Sequence, residues 1–258
     1  MIVRTLLVGA GFCLGAVAPA CALAADLVFA QNFLTGTKQI VTFPVGDPTN
    51  MAVIGPQTDT FTGIDFDPAA KVLWAINFAT HTLGTVNQAT GAYAQATVLT
   101  DSSTSAFTID PVGGAFYISK GDRYIYSLDP VSGEATLLGT GAPVGTGIHA
   151  LAADCSGRLF AFASNGTDPD ALYQSHPGVS DATLIGSPGY SGATTLEFDN
   201  HTGILYAWFY ASGGGNTAST HGTIDATTAQ VSQISSVEGR YRMAVRNECS
   251  IFADDFEA

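Results

Sequence analysis

Four side chains carry the charge chemistry most able to converge in this chain: Asp65, His149, Glu197 and Arg242. Asp65 and Glu197 occupy the same position in two copies of a recurring apolar segment, and His149 and Arg242 fall near one end of two further copies. Carboxylates brought together in this way can hold a divalent cation such as Ca²⁺, or act as acid and base. They can equally be solvated or paired, for instance Glu197 with Arg242. The same residues therefore support a ligand site, a metal-dependent hydrolase or lyase acting through Asp65, His149 and Glu197, or no chemistry at all.

Other motifs add little. His81, His149, His176, His201 and His221 are scattered, with no two-histidine helical spacing. Asp168-Pro169-Asp170 and Asp254-Asp255 lack the Gly and terminal Glu of a calcium loop. No Gly-x-Ser-x-Gly elbow occurs. Gly213-Gly214-Gly215 has no following Lys or helix that would make it a phosphate cradle. Asn165-Gly166-Thr167 and Asn200-His201-Thr202 match the glycosylation sequon without further support.

The elements that must position these residues form a repeat of about 45 residues. Aligning an Asp-centred turn places Asp67, Asp110, Asp154, Asp199 and Arg246 at equivalent points. Before each turn lies an apolar strand: Thr62–Phe66, Ser105–Ile109, His149–Ala153, Thr194–Phe198 and Tyr241–Val245. One and three residues before the turn the side chains are apolar throughout, as in Phe66/Ile64 and Val245/Met243. Between them stand Asp65, Thr108, Ala152, Glu197 and Ala244, all small or polar. That period of two marks a strand held between neighbouring units. Three more strands follow in each unit, and no long segment has helical periodicity. Trp74, Tyr117, Phe160, Tyr206 and Trp208 all fall in second strands, where packing between units is their expected role.

A unit of short strands cannot bury its own faces and must stack on its neighbours. The fifth unit is split: Leu27–Gln31, Gln39–Phe43 and Met51–Ile54 supply its outer strands, and Tyr241–Val245 its innermost one. Joining the termini predicts an all-β, five-bladed β-propeller closed by pairing of the N- and C-terminal segments, which removes exposed edges. A ring of six small blades is left open.

Length and composition agree. Arg4, the apolar run from Thr5 to Val17 and Ala22-Leu23-Ala24 predict a signal peptide over 1–24, with a propeller over 25–248 and a tail over 249–258. Export to the periplasm or the extracellular space follows, with lipid attachment at Cys21 the lesser reading. Without the leader, 22 acidic residues face eight basic ones. Such a surface opposes nucleic acid and anionic lipid. No second long apolar run predicts a transmembrane segment, and a monomer is expected. Cys155 and Cys249 remain after cleavage. They lie two blades apart in the repeat, so their pairing is open unless the C-terminal tail folds across.

Gly63-Ile64-Asp65-Phe66-Asp67-Pro68 and Tyr126-Ser127-Leu128-Asp129-Pro130-Val131-Ser132-Gly133 resemble the repeats of bacterial secreted β-propellers. The resemblance is to the Tyr-Val-Thr-Asn and quinoprotein-like types, including domains of unknown function, and covers residues 26–246. It implies architecture only. The ending Ile251-Phe252-Ala253-Asp254-Asp255-Phe256-Glu257 is similar to an Ile-Phe-Ala-Asp-Gly-Phe-Glu tail of exported bacterial proteins, with Asp255 in place of Gly. The expected function is a non-catalytic binding or interaction module for a protein, glycan or small ligand, with a structural envelope protein as another alternative. Long connections at Gly139–Gly147, Ser164–Asp170 and Ala211–Thr220 are the expected contact regions, since function on such folds resides in loops.

Overall fold

The structure, a computed structural model, describes residues 27–33, 38–138, 145–164, 170–178, 182–190, 192–210, 218–246 and 248–249. The leader at 1–24, most of the tail and much of the three long connections lie outside the described residues.

The described chain begins with β1 (Leu27–Asn32), β2 (Gln39–Pro44) and β3 (Ala52–Pro56). Blade 1 follows as β4 (Phe61–Asp67), β5 (Val72–Asn77), β6 (Thr82–Val86) and β7 (Tyr93–Val98). Blade 2 is β8 (Ala106–Ile109), β9 (Phe116–Ser119), β10 (Ile125–Leu128) and β11 (Ala135–Leu137). Blade 3 is β12 (Gly147–Ala153), β13 (Leu159–Ser164), β14 (Ala171–Ser175) and β15 (Thr183–Gly186). Blade 4 is β16 (Ala193–Asp199), β17 (Ile204–Tyr210), β18 (Ala218–Ile224) and β19 (Val231–Glu238). The last strand, β20 (Tyr241–Arg246), returns to pair antiparallel with β1, from Leu27 opposite Arg246 to Asn32 opposite Tyr241. The result is five four-stranded antiparallel sheets, the fifth ordered β20-β1-β2-β3. The innermost strands β4, β8, β12, β16 and β20 each touch the next, closing the ring. This is a five-bladed β-propeller with no helix among the described residues.

The Asp-centred turns form because a carboxylate can accept from its own backbone two or three residues on. Asp67 Oδ1 accepts from Ala70 N, Asp110 Oδ1 from Val112 N, Asp154 Oδ1 from Ser156 N and Asp199 Oδ1 from His201 N. Asn87, Asp129 and Asp225 repeat the device between third and fourth strands. The last two strands of blade 4 are long and polar: β18 begins at Ala218, inside the connection expected over Ala211–Thr220, and β19 continues to Glu238. Their paired Thr, Ser and Gln residues lack the aliphatic pattern that signals a strand.

The core is divided among the five contacts between blades. Phe66, Ile64 and Leu73 of blade 1 pack with Phe29, Ile40 and Ala244 of the composite blade. Ile76 and Leu83 meet Phe107, Ile109 and Phe116. Tyr117 meets Leu151 and Leu159, and Phe160 and Phe162 meet Phe198 and Phe209. Tyr206 and Trp208 pack on Phe43 and Met243, closing the circle. All five second-strand aromatics thus serve packing between blades. Edge-to-face pairs such as Phe160–Phe198 at 4.9 Å add about 0.5–1.5 kcal/mol each beyond their buried area.

Candidate functional site

The innermost strands all run from one end of the ring, here the mouth, to the Asp turns at the other, the base. Blades 1, 3 and 4 carry a register shift near the start of the innermost strand, between Phe61 and Gly63, Ile148 and Ala150, and Ala193 and Thr195. The extra residues are Thr62, His149 and Thr194. A bulge changes the aim of the side chain it carries, and all three residues lie at the narrow axial passage just inside the mouth. His149 Nε2 lies 3.6 Å from Asp170 Oδ2, and that carboxylate also accepts from Gly192 N. Arg242, second in β20, donates from Nη1 to Thr194 O at 2.9 Å, with its guanidinium 5.3 Å from the Phe33 ring centre.

A cavity of about 360 Å³ opens above this passage. His149 and Arg242 line it together with Thr60, Thr62, Phe78 and Thr104. Beneath it the passage narrows to about 10 Å³ between the five innermost strands, roughly the room of one water molecule. The bore is tight because backbones approach closely: a Cβ on Gly63 would stand 2.5 Å from Phe107 Cβ. The mouth is therefore a cup with a floor.

Asp65 and Glu197 are not in the cup. Both lie deeper in the ring, 5% exposed. Asp65 ties blade 1 to blade 2: Oδ1 accepts from Phe66 N at 2.6 Å, and Oδ2 from Thr108 Oγ1 at 2.9 Å and Ile109 N at 2.6 Å. Burial outweighs these donors and pushes Asp65 up to about 7. Glu197 is flanked at its level by Ala152 and Ala244, whose methyl groups offer no donor. Burial, and then the negative charge of Asp65, holds its carboxyl well above the ordinary range. Among the described residues no ion pair joins Glu197 to Arg242. The structure thus brings His149 and Arg242 together at the mouth and leaves Asp65 and Glu197 in the wall below. The trio Asp65, His149 and Glu197 is not assembled, and among the described residues no group of three His, Cys, Asp or Glu side chains could hold a metal ion.

The base carries a covalent link. Cys155 and Cys249 form a disulfide with Cα atoms 5.7 Å apart, because residues 248–249 cross the end of the ring from β20 to the turn of blade 3. Glu248 reaches Lys71 on blade 1 at 3.5 Å, and Glu248 and Cys249 line a second cavity with Pro68, Pro111 and Val112. The strands flanking the connections 139–147, 164–170 and 211–220 all leave or enter their blades on the mouth side.

Sequence reasoning missed two residues. Thr104, 8% exposed, stands at the cup, while its Oγ1 is closed off from solvent and has no hydrogen-bond partner. Nothing in a Thr-Ser-rich loop signals that. His221 is fully buried between blades 4 and 5, stacked on Tyr206 at 5.6 Å and close to Trp208 at 4.7 Å, with Nε2 3.2 Å from Val45 O. Its place beside the apolar second strand became visible only with the register of β17 and β18.

No helix among the described residues is long and apolar enough to cross a membrane. No family model matches the sequence, and no curated protein matches it. Among solved structures, a chain of a nidogen/laminin complex superposes with a TM-score of 0.59 at 13% identity, over 87% of this chain and 99% of that one. TolB from Acinetobacter baumannii superposes with a TM-score of 0.54 at 11% identity, over 86% of this chain and 66% of that one. At such identities the likeness concerns the fold: this chain shares the propeller architecture of both.

Proposed function

We propose that this chain is an exported, non-catalytic binding module, built of Tyr-Val-Thr-Asn or quinoprotein-like repeats, that takes its ligand at the mouth of the ring. The observation that carries this reading is the floored cup of about 360 Å³, lined by His149 and Arg242, at the end of the propeller from which the long connections emerge. Function on propellers resides at such loop-bearing ends. One structure with the same architecture comes from an assembly of two proteins, nidogen and laminin, in keeping with a propeller used for recognition. A hydrolase or lyase reading is less well supported, because the carboxyls that would act lie in the wall below the cup, Asp65 saturated by donors from its neighbour strand.

A photoreactive residue placed at Phe78, on the cup rim, tests the reading against one placed at Val112, on the base. Incubated with envelope extract, the mouth position should give a discrete adduct that excess unlabelled protein suppresses, and the base position should not. Equal labelling from both positions, or none from Phe78, refutes a mouth-centred site.

A further inference from the structure

We infer that the cup takes a single carboxylate on a small apolar body, carried by a free organic acid or by the C-terminal residue of a peptide; the inference rests on reading the mouth as the binding site. Charge sets the first limit. The chain has 22 acidic residues against nine Lys and Arg. Among the described residues, however, the ionisable side chains lining the cup are His149 and Arg242, with no Asp or Glu. A concave surface lined by one sign of charge concentrates the field of that sign. Asp170, whose Oδ2 lies 3.6 Å from His149 Nε2, is buried and stands outside the lining. Asp65 and Glu197, in the wall below, are held by burial above the ordinary carboxylate range, which favours their neutral forms. The acidic remainder of the chain repels polyanions, so one carboxylate fits better than a phosphate or a dicarboxylate.

The donors then select the group. Arg242 is placed by its neighbours: Nη1 donates to Thr194 O at 2.9 Å, and the guanidinium stands 5.3 Å from the Phe33 ring centre. A guanidinium has five N–H donors in a fixed fork that matches the two oxygens of a carboxylate, and the bond to Thr194 O uses one of them. The His149 side chain is 44% exposed on its bulge, and imidazole offers an N–H donor in either protonation state. Hydrogen bonds between a charged donor and a carboxylate are roughly twice as strong as neutral ones. An amide in the same place turns its NH₂ group toward these donors, and a cation meets like charge. The rest of the lining calls for carbon. Phe61 and Ala193 are buried in the wall, and Phe78 stands at the rim 59% exposed. A wholly polar anion leaves that surface in water, whereas an aromatic or aliphatic body covers it. Size limits the body: about 360 Å³ is at the low end of small-ligand cavities, and the passage beneath has room for about one water.

The test titrates the purified protein, by calorimetry and ligand-observed NMR, with three probes of one shape and different charge: benzoate, benzamide and benzamidine. N-acetylphenylalanine, which ends as a peptide chain ends, is the fourth probe. The variants are Arg242→Gln and His149→Gln, each checked by thermal melting. The expected result is saturable millimolar or tighter binding of benzoate, with benzamide at least about tenfold weaker and benzamidine weaker still. Arg242→Gln should weaken benzoate about tenfold or more. His149→Gln changes a side chain exposed enough to leave folding intact, and should weaken benzoate severalfold even if Arg242→Gln does not fold. Tighter binding of N-acetylphenylalanine than of benzoate assigns the carboxylate to a chain end, and the reverse assigns it to a free acid. If benzamide or benzamidine binds as well as benzoate, and a variant at the cup alters that binding, the carboxylate inference is overturned while the mouth stands as a binding site. Benzoate binding that neither folded variant changes lies elsewhere on the protein and also overturns the inference. If no probe binds, the carboxylate inference falls by itself, and labelling from Phe78 decides the mouth separately.

Discussion

Replacing Asp65 by Asn should change how stability depends on pH more than it changes stability itself. In the fold, Asp65 is buried and its carboxyl is raised from 3.8 to about 7, with burial the largest cause. Between those values the unfolded chain has released a proton that the folded chain keeps. The folded form is therefore favoured at acid pH, and this contribution is lost as pH rises from about 4 to about 7. A shift of about three pKa units corresponds to about 4 kcal/mol. Asn has no such titration. It does place an amide nitrogen against one of two backbone donors, Phe66 N or Ile109 N, at a pH-independent cost of about 1–3 kcal/mol. The variant should thus be clearly less stable than wild type near pH 4, and equal or better above about pH 7.5. Urea unfolding of both proteins across that range gives the difference curve, in which the titrations they share cancel. Parallel curves for the two proteins would show that Asp65 is already ionised in the fold, and the reasoning about its burial would be wrong.

Three further outcomes follow from individual contacts. His221, whose burial lowers its pKa to about 4, should act in the opposite sense: stability present above about pH 6.5 is lost by about 3 kcal/mol as pH falls toward 4, and the wild-type minus His221→Phe difference in urea unfolding should show that slope. Cys155→Ser opens a bond spanning 94 residues and should cost about 4 kcal/mol; a guanidinium midpoint equal to that of the oxidised wild type would mean the crossing at the base is not held by the bond. Gly63→Ala inserts a methyl 2.5 Å from Phe107 Cβ and should cost at least about 1–3 kcal/mol; a melting temperature unchanged from wild type would contradict the close approach of β4 and β8.

Much of the fold was legible because its signals are local and repeated. The Asp turns are made by a side chain accepting from backbone two or three residues away, so their residue types appear in the sequence whatever the rest of the chain does. The alternation around Asp65, Thr108, Ala152, Glu197 and Ala244 reflects the strand period. Stacking five such units needs an innermost strand for the first outer strands, and Tyr241–Arg246 was the segment left to supply it. The polar β18 and β19 were less legible, because pairing with each other, rather than an apolar face, defines them.

The site followed the opposite rule. Sequence put Asp65 and Glu197 at the same position of two innermost strands and His149 and Arg242 near one end of two others. It could not tell that the innermost strands bulge at Thr62, His149 and Thr194, since a one-residue register shift leaves no mark in composition. Nor could it separate the mouth, where His149 and Arg242 meet, from the wall, where Asp65 is consumed by the neighbouring strand. The disulfide depended on a chain crossing about which repeat arithmetic is silent. Thr104 became notable only when every other partner around it was accounted for. Sequence by itself determined the repeat, the blade and the closure, because each arises from contacts within a unit or from its period. Only the tertiary structure decided which polar groups face open space, because that depends on distances between units that are far apart in the chain.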